Sequence, residues 1–211
     1  MNEPPAKVQF DNLEQQHDAS RLGMWLFLAT EFLFFGVLFM AFAVHHLLHP
    51  QAFASAVKQT NLLCGSINAA LLLTSGLTMA LGVTAIQNGR SRACVNWVSL
   101  TLILGLVFLA VKGAEYAGDI SKGLVPGRHF AMNGEPAAQI FFWLYWLMTG
   151  LHAIHLIVGI VMLAAIAWMT KQGRFSARYA TPVELAGIYW GFVDLIWIFL
   201  YPLLYLIGRV K

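Results

Sequence analysis

Charge is what this 211-residue chain has least of: Asp, Glu, Lys and Arg together make up 11% of it, against about 25% in an average soluble domain. With 59% hydrophobic residues, that scarcity excludes a soluble globular domain and leaves an integral membrane protein. The formal net charge of +3 rests on few groups, mostly between apolar runs, which is loop bias and not a nucleic-acid surface. The only two cysteines, Cys64 and Cys94, fit no metal or redox spacing; both fall at helix beginnings and read as free thiols. The first twenty residues carry Glu3, Asp11, Glu14, Asp18 and Lys7 with no apolar core, so they do not read as a cleavable signal peptide. They read instead as a polar segment, residues 1–21, that stays on the side of synthesis. Also missing are a phosphate cradle, a nucleophile beside a base and an axial-ligand set that would hold haem. Those absences leave a carrier or a supporting subunit.

What the chain does have is apolar length. Five segments run at about 22–47, 62–86, 95–117, 137–169 and 183–208, each long enough to cross a bilayer as a helix. Only helices and closed barrels satisfy backbone groups in hydrocarbon, and the runs lack a ten-residue alternating pattern. The expected class is all-α: one polytopic bundle of five transmembrane helices over residues 22–208. Asn88 to Arg92 and Lys171 to Arg178 are short basic loops, while Gly123, Pro126, Gly127, Gly134 and Pro136 make 119–136 irregular. Lys7, Arg21, Arg90, Arg92, Lys171, Arg174 and Arg178 fall on the amino-terminal side, against Lys58, Lys122, Arg128, Arg209 and Lys211 opposite. The two compact basic loops place the amino terminus in the cytoplasm and the carboxyl terminus outside.

Against that background the polar residues inside spans stand out. Glu31 lies about ten residues into the first span, roughly 14 Å along a helix, where an ionised carboxylate costs at least ~2.5 kcal/mol. It must be neutral, paired, or turned to a partner or polar cavity. Lys112 and Glu115 are three apart, share a helix face and can pair; a pair snorkelling at the interface is the equal alternative, because Asp119 and the loop follow at once. His152 and His155 share a face of the fourth span, without the Glu of an HExxH motif or a nearby Cys, and read as contacts to neighbouring helices or a phospholipid headgroup rather than metal ligands. In the last span Gly187, Trp190, Gly191, Asp194, Trp197 and Tyr201 recur at helical spacing. Asp194 there needs a donor, an indole N–H or a histidine. Pro202 is expected to kink the exit, and Tyr205 reads as an interface anchor. Asn68, Thr74, Ser75, Gly76 and Thr78 read as helix-packing positions.

Four blocks of this pattern resemble one known family. They are Trp25-Leu-Phe-Leu-Ala-Thr-Glu31-Phe-Leu-Phe-Phe35, the run from Asn68 to Gly76, Lys112-Gly-Ala-Glu115-Tyr116, and Thr149-Gly-Leu-His152-Ala-Ile-His155-Leu-Ile-Val-Gly159 followed by Glu184 and Tyr189-Trp-Gly-Phe-Val-Asp194-Leu-Ile-Trp-Ile-Phe-Leu-Tyr201. In this order they resemble subunit III of the haem–copper oxidases, the cytochrome c oxidase family, in its five-helix bacterial form. Where the family commonly has Trp-His-Phe-Val-Asp, this chain has Gly191, so no role of that histidine is carried over.

The resemblance implies an accessory core subunit with no cofactor of its own, haems and copper residing in subunits I and II, where oxygen is reduced and protons are pumped. It implies bound structural phospholipids, a bacterial cell membrane, and access to cytochrome c or a respiratory supercomplex through the partners. Glu31 falls on the family's carbodiimide-reactive glutamate, a buried protonated carboxyl facing a cleft. His152, His155 and Glu184 fall at contacts to lipid or the catalytic subunit, together with Lys112, Glu115 and Trp190, while Trp190 and Asp194 fix packing. Two other readings stay open: a partner of a nitric oxide reductase, and a free-standing proton or solute carrier using Glu31 and Asp194.

Overall fold

The structure is a computed structural model that describes residues 13–128, 130–132, 135–177 and 179–209. Most of the expected polar amino-terminal segment, with Lys7, and also Gly134, Arg178 and Lys211 lie outside the described residues. Five helices are long and apolar enough to cross a membrane: α1 (Leu13–Leu48), α3 (Leu62–Gln87), α4 (Ser91–Ser121), α5 (Pro136–Lys171) and α6 (Thr181–Tyr201), the last continued by a π-helical turn, Pro202–Leu206. A sixth helix, α2 (Pro50–Gln59), joins α1 to α3.

Two boundaries differ from the sequence reading, each for a physical reason. The first helix begins at Leu13 and not near Leu22. Its 36 residues make it about 54 Å long, well beyond a hydrocarbon core of about 30 Å. Glu14 to Arg21 contains neither Pro nor Gly, so the helix nucleated by the apolar run propagates through it. Between the first two apolar runs the sequence is short and half polar, yet it folds as α2. Pro50 opens it, and Phe53, Ala56 and Val57, at helical spacing, are buried.

The bundle itself is a ring of four. Gly89, at φ 73°, turns α3 back onto α4; α5 lies on α4, and α6 closes the ring against both α5 and α3. α3 and α6 run antiparallel, since Gln87 meets Glu184 at one end, Ser75 meets Trp190 in the middle and Ser66 meets Tyr201 toward the other. α1 lies outside the ring on α5 and α6. Large apolar side chains such as Leu33, Val37, Leu77 and Val161 point outward, as they must where the solvent is lipid.

Small residues set how closely the helices approach. Trp190 is fully buried and lies in a seat formed by Gly105 and Gly159: an added Cβ would come within 2.8 Å of its ring from Gly105 and 3.1 Å from Gly159. Pro202 marks a change of helix type. The chain stays helical there and adopts i→i+5 bonding, with Ile207 N–H donating to Pro202 O at 3.0 Å. Gly105→Ala is expected to destabilise the chain by about 1–3 kcal/mol through overpacking against Trp190. Gly113→Ala in the same helix, where an added Cβ meets nothing within 4 Å, should leave stability unchanged or slightly higher. Thermal unfolding in detergent, followed by tryptophan fluorescence, tests the contrast.

Candidate functional site

Two polar centres bind the helices together. The first joins α1 to α5. Glu31 Oε2 lies 3.0 Å from His155 Nε2, and His155 Nδ1 lies 2.8 Å from the Leu151 carbonyl. A carbonyl oxygen only accepts, so Nδ1 carries a hydrogen, and the line between Nε2 and Oε2 must hold one further proton. Either the carboxyl is protonated and donates to a neutral imidazole, or an imidazolium donates to a carboxylate. Tyr189 O–H on α6 donates to the His155 carbonyl at 3.0 Å, and Phe35 meets the ring edge-on at 5.4 Å. The acid expected to be deeply buried and facing a cleft is thus half-buried and engaged by a histidine of its own chain.

The second centre lies where α4, α5 and the terminal π-turn meet. Lys112 Nζ donates to Glu115 Oε2 at 3.0 Å, to Tyr145 Oη at 2.9 Å and to Tyr205 Oη at 2.8 Å. An ammonium has three N–H bonds, and all three are used. Tyr205 O–H donates to Glu115 Oε1 at 2.8 Å. Tyr145 O–H faces Asp119 Oδ2 at 2.9 Å and Glu115 Oε1 at 3.1 Å. The Lys112 Nζ also lies over the Tyr145 and Tyr116 rings, at 4.6 and 4.8 Å from their centroids.

This arrangement corrects two expectations. The Lys112 and Glu115 side chains are 3% and 0% exposed, so the pair does not snorkel at an interface or offer a lipid contact. Tyr205 is not an interface anchor: it is fully buried and held by both members of the pair. Tyr145 and Asp119 were missed as members. Asp119 was legible in principle, one turn beyond Glu115 and two beyond Lys112 on the same helix face; nothing local marks Tyr145.

The remaining residues separate. Trp190 is buried and its Nε1–H donates to Ser75 Oγ at 3.0 Å, which makes it a packing residue with no lipid-facing surface in this chain. His152 is 1% exposed and has no hydrogen-bond partner among the described residues; its ring lies between Phe108 and Trp197, at centroid distances of 5.6 and 5.1 Å. It therefore reaches neither lipid nor a neighbouring chain. Asp194 does not find the donor expected for it: Oδ1 is unpartnered among the described residues, and the other oxygen abuts Gly76. Glu184 pairs with Arg21 of α1 and accepts from Gln87 of α3, both at 2.8 Å. Two adjoining grooves flank α1. One of about 720 Å³ is lined by Trp25, Phe32, Leu33, Ile188, Gly191 and Leu195. The other, about 660 Å³, extends past Trp25 to Gly76 and the Arg21–Glu184 pair. Gly191 borders both.

Among the described residues no three His, Cys, Asp or Glu side chains converge on a metal-sized site. The two histidines of α5 are separately committed, one to Glu31 and one to an aromatic slot.

Comparison with known proteins supplies the context. The sequence model of the family described as Cytochrome c oxidase subunit III matches residues 9–209. A relative named Cytochrome c oxidase subunit 3 from Thermostichus vulcanus is 31% identical over 203 residues, covering 96% of this chain and 94% of that one. One of the same name from Synechocystis is 28% identical, covering 90% and 76%. A Probable quinol oxidase subunit 3 from Staphylococcus aureus is 25% identical, covering 95% and 94%.

The buried pair generates a thermodynamic prediction. Lys112→Met leaves Glu115 without its cation in a buried site, and the expected loss is about 3–5 kcal/mol. Adding Glu115→Gln removes the stranded charge and should recover much of that loss. A double-mutant cycle on unfolding in detergent gives the coupling; additive losses would show that the two side chains do not act as a pair.

Proposed function

The chain belongs to the cytochrome c oxidase subunit III family, and on that premise we propose that it is the accessory core subunit of a haem–copper cytochrome c oxidase. The observation that carries the proposal is the family match across residues 9–209, which takes in all five spanning helices. On this reading the chain is a multi-pass component of an oxidoreductase complex. Haems and copper belong to subunits I and II, where oxygen is reduced to water and protons are pumped. Of the two histidines of α5, His155 is committed to Glu31 and Leu151 O and His152 is walled by rings, so neither is placed to ligate haem or copper.

The polar residues support a holding role. Glu31–His155 and Arg21–Glu184 fasten α1 to the ring at two depths. The Lys112 centre fastens α4, α5 and the carboxyl-terminal turn. Between α1 and α6 the apolar groove suits acyl chains, and we assign structural phospholipids to it, with Glu184 in the adjoining groove. The membrane is the bacterial cell membrane, with the amino terminus cytoplasmic and the carboxyl terminus outside, as the basic loops favour. Relatives bear both cytochrome c oxidase and quinol oxidase names; the higher identities, 31% and 28% against 25%, favour cytochrome c as the complex's donor.

Purification of the tagged chain in mild detergent, with a reduced-minus-oxidised spectrum and mass identification of co-eluting proteins, tests the proposal. The expected outcome is a-type haem absorbance with a large subunit and a copper-binding subunit. A colourless protein eluting alone sinks the proposal and favours a free-standing carrier; only b- and c-type haems would assign the chain to a nitric oxide reductase. Within the complex, Glu31→Gln is expected to abolish most labelling by a hydrophobic carbodiimide and to shorten the lifetime of turnover. Equal labelling and an unchanged lifetime would remove the special standing of Glu31.

A further inference from the structure

A second polar cleft lies away from α1, between the start of α4 and the end of α5. It has a volume of about 550 Å³ and is lined by Ser91, Arg92, Val95, Asn96, Thr170 and Lys171. Arg90 and Arg174, both exposed, flank it in the adjoining turns. The lining contains no carboxylate, and among the described residues the ion pairs are Arg21–Glu184, Lys112–Glu115 and His155–Glu31. Among the described residues, none of the four cations around the cleft therefore has a carboxylate partner there.

Depth narrows what such a cleft can take. Ser91 opens α4 and Lys171 closes α5, just beyond the apolar runs that begin near Val95 and end near Met169, so the cleft lies at the polar end of both spans. Trp168, one turn before Lys171, is 61% exposed, as interfacial tryptophans are. Val95 and the helix surfaces beyond it lead from the cations toward hydrocarbon. Cations in this loop satisfy sidedness wherever they point; sidedness does not account for Arg92 and Lys171 lining one cavity from two different helices. A guanidinium fork beside an ammonium, at headgroup depth and without acids, matches phosphate chemistry.

We propose that the cleft between α4 and α5 binds a phosphate-bearing anion, and that this anion is the headgroup of an anionic phospholipid. The site is separate from the groove beside α1, and the inference stands whether or not the chain acts in an oxidase.

The test uses the delipidated full-length chain in detergent, titrated with phosphatidylglycerol or phosphatidylcholine, with bound lipids counted by native mass spectrometry. Arg92→Gln with Lys171→Gln is expected to weaken phosphatidylglycerol binding about thirty-fold, roughly fivefold per cation, and to leave phosphatidylcholine binding unchanged. Both side chains are exposed, so the unfolding midpoint should not move. Arg92→Lys with Lys171→Arg keeps both charges and should keep most of the affinity. Inorganic phosphate separates the two possible sources. Retention of phosphatidylglycerol in its presence supports the lipid; phosphate that binds alone and displaces the lipid overturns the lipid in favour of a soluble phosphate compound. Equal phosphatidylglycerol binding by the wild type and the neutralised variant overturns the site altogether.

Discussion

In hydrocarbon, a polar side chain that has no water must find its partner in protein, and that constraint arranges this molecule more than hydrophobicity does. Apolar surface separates the spans from the loops but cannot choose among helix neighbours, because lipid is as apolar as leucine. The choice falls to the few polar groups and the small residues. Lys112 shows how restrictive this is: its three N–H bonds need three acceptors at one depth, and the acceptors come from α4, α5 and the π-turn after α6. A register slip of either partner helix would strand a charge. The same logic explains the π-turn, which keeps the segment after Pro202 helical and thereby delivers Tyr205 to Lys112 and Glu115.

Close packing then reinforces the same arrangement. Trp190 needs both a donor's partner and a space. Ser75 supplies the first from α3; Gly105 and Gly159 supply the second from α4 and α5. One indole therefore touches every other helix of the ring, and each contact depends on a small or hydroxyl residue that hydropathy alone would treat as neutral. Thr78 and Thr101, bonded at 2.8 Å, close the α3–α4 hairpin in the same way.

How much of this could be read in the sequence follows from where each signal resides. The five spans were legible because their signal is local: a run of apolar residues is its own evidence. The Lys112–Glu115 pairing was legible for the same reason, being one helical turn, but its depth was not. What buries it is Tyr145 on α5 and Tyr205 after α6, 33 and 93 residues away in sequence. Tyr205 was misread because a tyrosine near a span end defaults to the interface until its partner is known. Glu31 demanded a partner, and His155 lay at comparable depth in another span, yet only the packing of α1 on α5 selects it over His152. The α2 helix escaped because its ten residues are too short and too polar on average to register as an apolar span, although Phe53, Ala56 and Val57 recur at helical spacing.

The outer position of α1 gives the polar pairs their significance. In its most apolar window 17% of residues are buried inside the chain, against 56% for the last span, so little apolar packing commits α1 to the ring. What holds it are discrete ties: Arg21–Glu184 near one end, Glu31–His155 near the middle, and α2 anchored by Phe53 and Val57 at the other. Between these ties the α1–α6 interface opens into a groove instead of closing into a seam, and Gly191, with open space where a side chain would stand, keeps it open. A helix fixed at points and separated along a groove leaves its intervening surface to be completed by something apolar from outside the chain. The four-helix ring closes through its own contacts, whereas α1 is finished by its surroundings.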